Sequence, residues 1–120
     1  MAGRLFVLVL ALLAALPAAA QSRRIAILQG LDKVTARIST IEAPLDLRVA
    51  FGTLRITVRT CSKRPPEEFP ETTAFLEILD EKRDETVSQV FSGWMFASSP
   101  ALSALEHPVY DIWVKDCVLR

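Results

Sequence analysis

Apolar and polar residues alternate along much of the chain between residues 34 and 119. Strict alternation with β-branched residues indicates a strand that buries one face. Thr53–Thr60 shows the pattern most clearly, because Leu54, Ile56 and Val58 alternate with arginine and threonine. The same reasoning predicts strands at 34–41, 45–51, 53–60, 73–79, 86–97 and 109–119. The fourth of these is apolar on both faces, which predicts a central strand.

Two segments interrupt the strand pattern. Residues 61–72 contain three prolines and mixed charges, which predict an extended loop, since proline cannot donate to a sheet. A solvated connector is the favoured interpretation of this loop, and a recognition surface is the alternative. Ser99 and Pro100 resemble a helix cap followed by proline at the first helical position, and Pro108 would end such a helix. Leu102 and Leu105 would share its inner face. The sequence therefore predicts a mainly β fold: a small antiparallel β-sandwich or barrel of about six strands with one short helix.

The first twenty residues are typical of a secretory signal peptide. Arg4 precedes an apolar run of twelve residues, Leu5–Leu16, and three alanines end the segment at Ala20. The run is shorter than the roughly 20 residues that span a bilayer. We expect cleavage after about Ala20, a periplasmic product without stable membrane insertion, and a single domain of residues 21–120 with its core at about 29–119.

The mature chain would contain 100 residues, 13 lysines and arginines, and 14 aspartates and glutamates. A net charge near zero gives no basic surface for nucleic acid or anionic lipid. Cys61 and Cys117 are the two cysteines of this chain. In an oxidising compartment they predict a disulfide, which would stabilise the fold by about 4 kcal/mol on the chain-entropy model.

Ser103, His107 and Asp111 are the residues from which a hydrolase site could be built. Ser103 and His107 are four residues apart and would share one helix face, with Asp111 as the orienting acid. Pro108 weakens this hypothesis because it ends the helix beside the histidine, and no glycine-rich elbow accompanies the serine. A structural histidine at a helix end is the favoured interpretation.

The sequence offers few residues that could bind a metal ion or a cofactor. One histidine and scattered carboxylates give no metal-ligand spacing, although Glu67, Glu68 and Glu71 could bind calcium weakly. We predict no cofactor and no metal.

The aromatic residues of the C-terminal part offer a candidate binding surface. It would comprise Trp94, His107, Tyr110 and Trp113. The two tryptophans could stack as a platform for a sugar or a partner, but burial in the core is the favoured alternative.

Two runs of sequence carry a family resemblance: FGTLRITVRTCSKRPPEEFPETTAFLEI and FSGWMFASSPALSALEHPVYDIWVKDC. Together they resemble a family of small exported bacterial proteins known only as a domain of unknown function. The resemblance spans about Gln29 to Cys117 and implies a single periplasmic domain. It implies no activity, substrate or catalytic residue.

These observations leave two hypotheses. The first is a non-enzymatic periplasmic β domain that serves as an accessory or binding module for an envelope protein or glycan. The alternative is a small hydrolase that uses Ser103 and His107.

Overall fold

The computed structural model describes residues 22–84 and 86–120, so the predicted signal peptide and its cleavage point lie outside the described residues. The described residues contain eight strands and no helix. The strands are β1 (Arg24–Asp32), β2 (Arg37–Pro44), β3 (Arg48–Phe51), β4 (Leu54–Lys63), β5 (Thr72–Glu81), β6 (Val87–Phe96), β7 (Leu105–Glu106) and β8 (Tyr110–Leu119).

The strands form two four-stranded antiparallel sheets. Sheet A has the order β2-β1-β8-β7, and sheet B has the order β3-β4-β5-β6. Buried residues from both sheets make one hydrophobic cluster, so the two sheets pack face to face as a sandwich. Leu28, Ile112 and Val114 come from sheet A, and Ile56 and Leu76 come from sheet B. The mainly β prediction is confirmed.

Bulges in β4 and β8 turn both cysteines into the core. In β4, Val58 pairs with Leu76 and Thr60 with Phe75, so Arg59 is an extra residue. The pairing of β8 skips Lys115 in the same way. Each bulge shifts the alternation by one residue, so that Cys61 and Cys117 both face inward. They form the predicted disulfide, with Cα atoms 6.0 Å apart.

The prediction of a short helix between Ser99 and Pro108 is wrong. The segment instead makes a turn, in which the Leu102 amide donates to the Ser99 carbonyl at 3.1 Å, and then enters β7. Leu105 pairs with Ile112 and is buried, whereas Leu102 is 78% exposed. A helix of about two turns is only marginally stable in water, so the backbone hydrogen bonds that Leu105 makes as a strand are favoured over the helix.

The strand count of about six is also wrong, because β1 and β7 were missed. β1 is a central strand of sheet A, between β2 and β8. Its inward positions include Ala26 and Gly30, which are too small to show apolar alternation in the sequence. Packing explains the glycine at position 30, because a Cβ there would lie 2.7 Å from the Phe51 ring. Nowhere in residues 22–84 and 86–120 does a helix occur that is long and apolar enough to cross a membrane.

Candidate functional site

His107 lies in the tight connection between β7 and β8, and both nitrogens of its ring are engaged. Nε2 is 2.8 Å from Oδ2 of Asp80. Nδ1 accepts hydrogen bonds from the backbone amides of Val109 and Tyr110, at 3.0 and 3.4 Å. Because a nitrogen that accepts from an amide carries no proton, we assign the ring proton to Nε2, which donates it to Asp80. The ring is therefore the neutral tautomer.

Asp80 is the buried carboxylate of this pair, with 1% of its surface exposed. Its second oxygen accepts a hydrogen bond from the hydroxyl of Thr53 at 2.6 Å. Burial favours the neutral acid and would raise the pKa of Asp80, but the hydrogen bonds from Thr53 and His107 outweigh burial and hold that pKa below its ordinary value of 3.8. Asp80 thus stays ionised while it is buried.

The Asp80–His107 pair and the disulfide tie the two sheets together at opposite ends. Asp80 lies near the end of β5 in sheet B, and His107 precedes β8 of sheet A. Cys61 and Cys117 join the same two sheets near the other end of β8. Tyr110 and Cys117 are seven positions apart in β8, which corresponds to ~23 Å of extended strand. The sandwich is cross-linked at both ends, once by a covalent bond and once by a hydrogen bond.

Tyr110 packs against His107 and closes this end of the sandwich. The two rings stack with centroids 5.5 Å apart, and Phe51 meets the Tyr110 ring edge-on at 5.4 Å. Gly52 lies under the tyrosine with φ of +57°, and a Cβ there would clash with the phenolic oxygen. Glycine is required at this position because a side chain would meet both an unfavourable backbone conformation and the tyrosine.

The residues of the predicted hydrolase site do not come together as a triad. Asp111 pairs with Lys33 at 2.9 Å, and the carboxylate that meets His107 is Asp80. Catalysis by a Ser-His-Asp set needs one ring nitrogen for the acid and a second nitrogen for the serine. In this protein backbone amides occupy the second nitrogen, so Ser103 has no general base in the described geometry.

The two tryptophans lie on different sides of the sandwich. Trp113 lies between Ile112 and Val114, which face the core, so it points to the outer face of sheet A. Trp94 precedes buried Met95 in β6 and points to the outer face of sheet B. There it contacts Phe75 edge-to-face, with centroids 5.5 Å apart. The aromatic candidates therefore do not form one surface, since His107 is held inward with 11% of its side chain exposed.

The sequence favoured a solvated connector for the proline-rich loop, residues 64–71. The structure shows that this loop carries an exposed aromatic side chain. Its base is closed by a hydrogen bond from the Arg64 amide to the Glu71 carbonyl, and an internal turn joins the Glu68 amide to the Pro65 carbonyl. Phe69, near its tip, is 87% exposed. A phenylalanine between charged residues and prolines is the signal that could have drawn attention to it.

Glu71 fixes this loop to the segment that follows β6. Its carboxylate accepts hydrogen bonds from the Ser98 hydroxyl and from the Ser98 and Thr72 amides, and these bonds lower the pKa of Glu71. Open grooves of about 710 and 530 Å³ flank the base of the loop. Among the described residues no group of three His, Cys, Asp or Glu could hold a metal ion, so Glu67, Glu68 and Glu71 do not form the calcium site considered above.

Comparisons with known proteins place the chain in a family. A family model described as an uncharacterized protein conserved in bacteria, DUF2155, matches residues 26–117, and the chain belongs to this family. It is 34% identical over 87 residues to the uncharacterized protein RP359 of Rickettsia prowazekii, a match that covers 72% of this chain. The matched region spans 56% of that relative's length. No solved structure matches the chain.

Proposed function

We propose that this member of the DUF2155 family is a non-enzymatic binding module of the bacterial cell envelope, and that it docks on an envelope protein through the proline-rich loop. The exposed side chain of Phe69 on that braced loop is the observation that carries the proposal. Large aromatic side chains supply much of the binding energy at protein interfaces when they enter a partner's pocket.

The loop is suited to binding because it is already ordered. Pro65, Pro66 and Pro70 restrict the backbone, the hydrogen bond from Arg64 to Glu71 closes the base of the loop, and the one from Glu68 to Pro65 forms its internal turn. A loop that is fixed before binding loses less conformational entropy when the complex forms. Binding through Phe69 therefore requires little loss of conformational entropy in the loop.

The charges around Phe69 indicate what kind of partner fits. Glu67 and Glu68 precede the aromatic ring, Arg64 lines the same groove, and all three are exposed. Complementary charge across an interface favours the correct partner and speeds encounter. We expect an envelope protein with an apolar pocket that accepts Phe69 and with charged side chains of both signs at its rim.

The disulfide and the N-terminal sequence support a periplasmic location for this binding. Stable disulfides persist in oxidising compartments and are rare in the cytosol. The order of a basic residue, an apolar run and small residues in the first twenty positions supports export. We therefore infer that the mature domain acts outside the cytoplasm.

The other functional hypotheses have less support from the geometry. A glycan platform would need coplanar aromatic rings on one face, whereas Trp94 and Trp113 lie on opposite outer faces. A hydrolase would need an accessible base, whereas both nitrogens of His107 are hydrogen-bonded. We therefore favour a protein partner.

Affinity capture from solubilised envelope fractions tests the proposal. Immobilised residues 21–120 should retain a defined protein, and Phe69→Ser should abolish its retention. Val34→Ser is the matched control, because Val34 is 78% exposed in the turn at the opposite end of the sandwich. Equal retention by the wild type and Phe69→Ser would contradict the role of the loop. Sedimentation of the protein with purified peptidoglycan, without dependence on Phe69, would favour the glycan hypothesis instead.

A further inference from the structure

Strand β6 is a long sheet edge without charged residues or proline, and its one irregularity is a bulge at Val90. Among residues 22–84 and 86–120 it forms one side of sheet B and pairs with β5 alone. Its ten residues, VSQVFSGWMF, include no charge and no proline. Within the described part of the chain, no hydrogen bond from another segment reaches the backbone of residues 88–95 on the free side. Unpaired amides and carbonyls along such an edge are a template for another strand.

The other sheet edges differ from β6. β2 carries Arg37, Glu42 and Pro44, whereas β3 and β7 have only four and two residues. The part of β8 that extends past β7 carries Lys115 and Asp116. Charged residues, prolines and short strands are the devices by which proteins blunt their edges. Their absence from β6 distinguishes this edge from the rest.

We propose that β6 pairs antiparallel with β6 of a second copy of this chain, and that the two-fold axis passes through Gly93. Antiparallel pairing places residues of the same sheet face opposite each other. In this register Trp94 lies opposite Ser92, and both face outward, while Met95 lies opposite Phe91, and both face the core. Val90 is the bulged residue of β6, so the regular pairing ends there.

A second copy is the occupant that best fits the chemistry of this strand. Because β6 has no charged residue, antiparallel pairing with itself opposes no like charges. Trp94 is 47% exposed, and in this register the two copies of its ring are diagonal neighbours, close enough for aromatic contact. Gly93 adds no side chain at the axis, and a Cβ there would meet nothing closer than the Phe91 ring at 3.6 Å.

A single pair of strands makes a small interface, so the dimer should dissociate on dilution. Sedimentation equilibrium of residues 21–120, over concentrations up to the millimolar range, should show a reversible monomer–dimer equilibrium. A protein that stays monomeric throughout this range would overturn the proposal, and so would a dimer that is insensitive to changes in β6.

Two double variants at the same positions test the register. In Ser92→Lys with Trp94→Lys, two pairs of like charges face each other across the axis. In Ser92→Glu with Trp94→Lys, the same two pairs have opposite charges. Opposite charges stabilise a cross-strand pair and like charges destabilise it, so the dissociation constant should be about tenfold larger for the first variant than for the second. Equal constants would overturn the proposed register.

A matched control lies on the opposite sheet. Ile38→Lys with Thr40→Lys introduces the same two lysines at exposed positions of β2. This variant should dimerise as the wild type does. Loss of the dimer in this control, with the β6 variants unaffected, would assign the interface to β2 and overturn the proposal.

Discussion

The pair formed by His107 and Asp80 should contribute measurable stability, and a double-mutant cycle can isolate its contribution. The perturbations are His107→Ala, Asp80→Ala and the two together. The Nε2–Oδ2 distance is 2.8 Å, and the side chains are 11% and 2% exposed. A hydrogen bond to a charged group contributes about 1.5–3 kcal/mol, and leaving one partner buried and unpaired costs about 1–3 kcal/mol, or more for a charged group.

We therefore expect each single variant to lose about 2–4 kcal/mol of the free energy of unfolding. The loss in the double variant should fall short of the sum of the single losses by about 1.5–3 kcal/mol, because the pair is lost only once. Urea-induced unfolding, followed by tryptophan fluorescence or circular dichroism, measures these differences.

An exposed ion pair provides the comparison for this cycle. Arg59 and Asp46 are 3.1 Å apart, with side chains 47% and 68% exposed. Exposed pairs typically contribute less than about 1 kcal/mol. If the coupling energy between His107 and Asp80 is no larger than that between Arg59 and Asp46, the reasoning that this pair ties the sheets together is refuted.

Three further predictions follow from the same contacts. The pKa of Asp80 is lower in the folded protein than in the unfolded chain, so its ionisation stabilises the fold above pH 3.8. This contribution is lost as the pH falls through the pKa of the folded state. The free energy of unfolding of Asp80→Asn should therefore fall less steeply below pH 4 than that of the wild type. Gly52→Ala should lower the melting temperature by about 10 °C or more, whereas Gly93→Ala, where a Cβ meets only ordinary contacts, should change it by a few degrees. Replacing Cys61 and Cys117 together by alanine should remove about 4 kcal/mol of the free energy of unfolding, measured under non-reducing conditions.

The alternation of residues predicted most of the strands but not which way the cysteines face. In β4, continued alternation after Val58 would place Cys61 on the outer face, and the bulge at Arg59 reverses this. An arginine at a bulge looks like any other outward residue, so the sequence pattern contains no sign of the change. The disulfide itself was predictable, because it followed from the number of cysteines and the compartment rather than from their orientation.

The partner of His107 was harder to predict, because Asp80 lies 27 positions away in the other sheet. Asp80 does continue the inward positions Ala74, Leu76 and Ile78 of β5, so strict alternation places a carboxylate in the core. A buried carboxylate needs a hydrogen-bond partner, and the single histidine was one candidate. The hypothesis of a site with Ser103, His107 and Asp111 relied on a helix for the spacing of Ser103 and His107, and the strand pairing of Leu105 replaces that helix.

We propose that binding takes place through the proline-rich loop and that the histidine and the disulfide have a structural role. Photo-crosslinking in living cells tests this most directly, with a photoreactive amino acid in place of Phe69 or, as the control, in place of Val34. We predict that the substitution at position 69 yields a discrete adduct with one envelope protein and that the substitution at position 34 yields none. The same adducts from both positions, or none from position 69, would contradict the account.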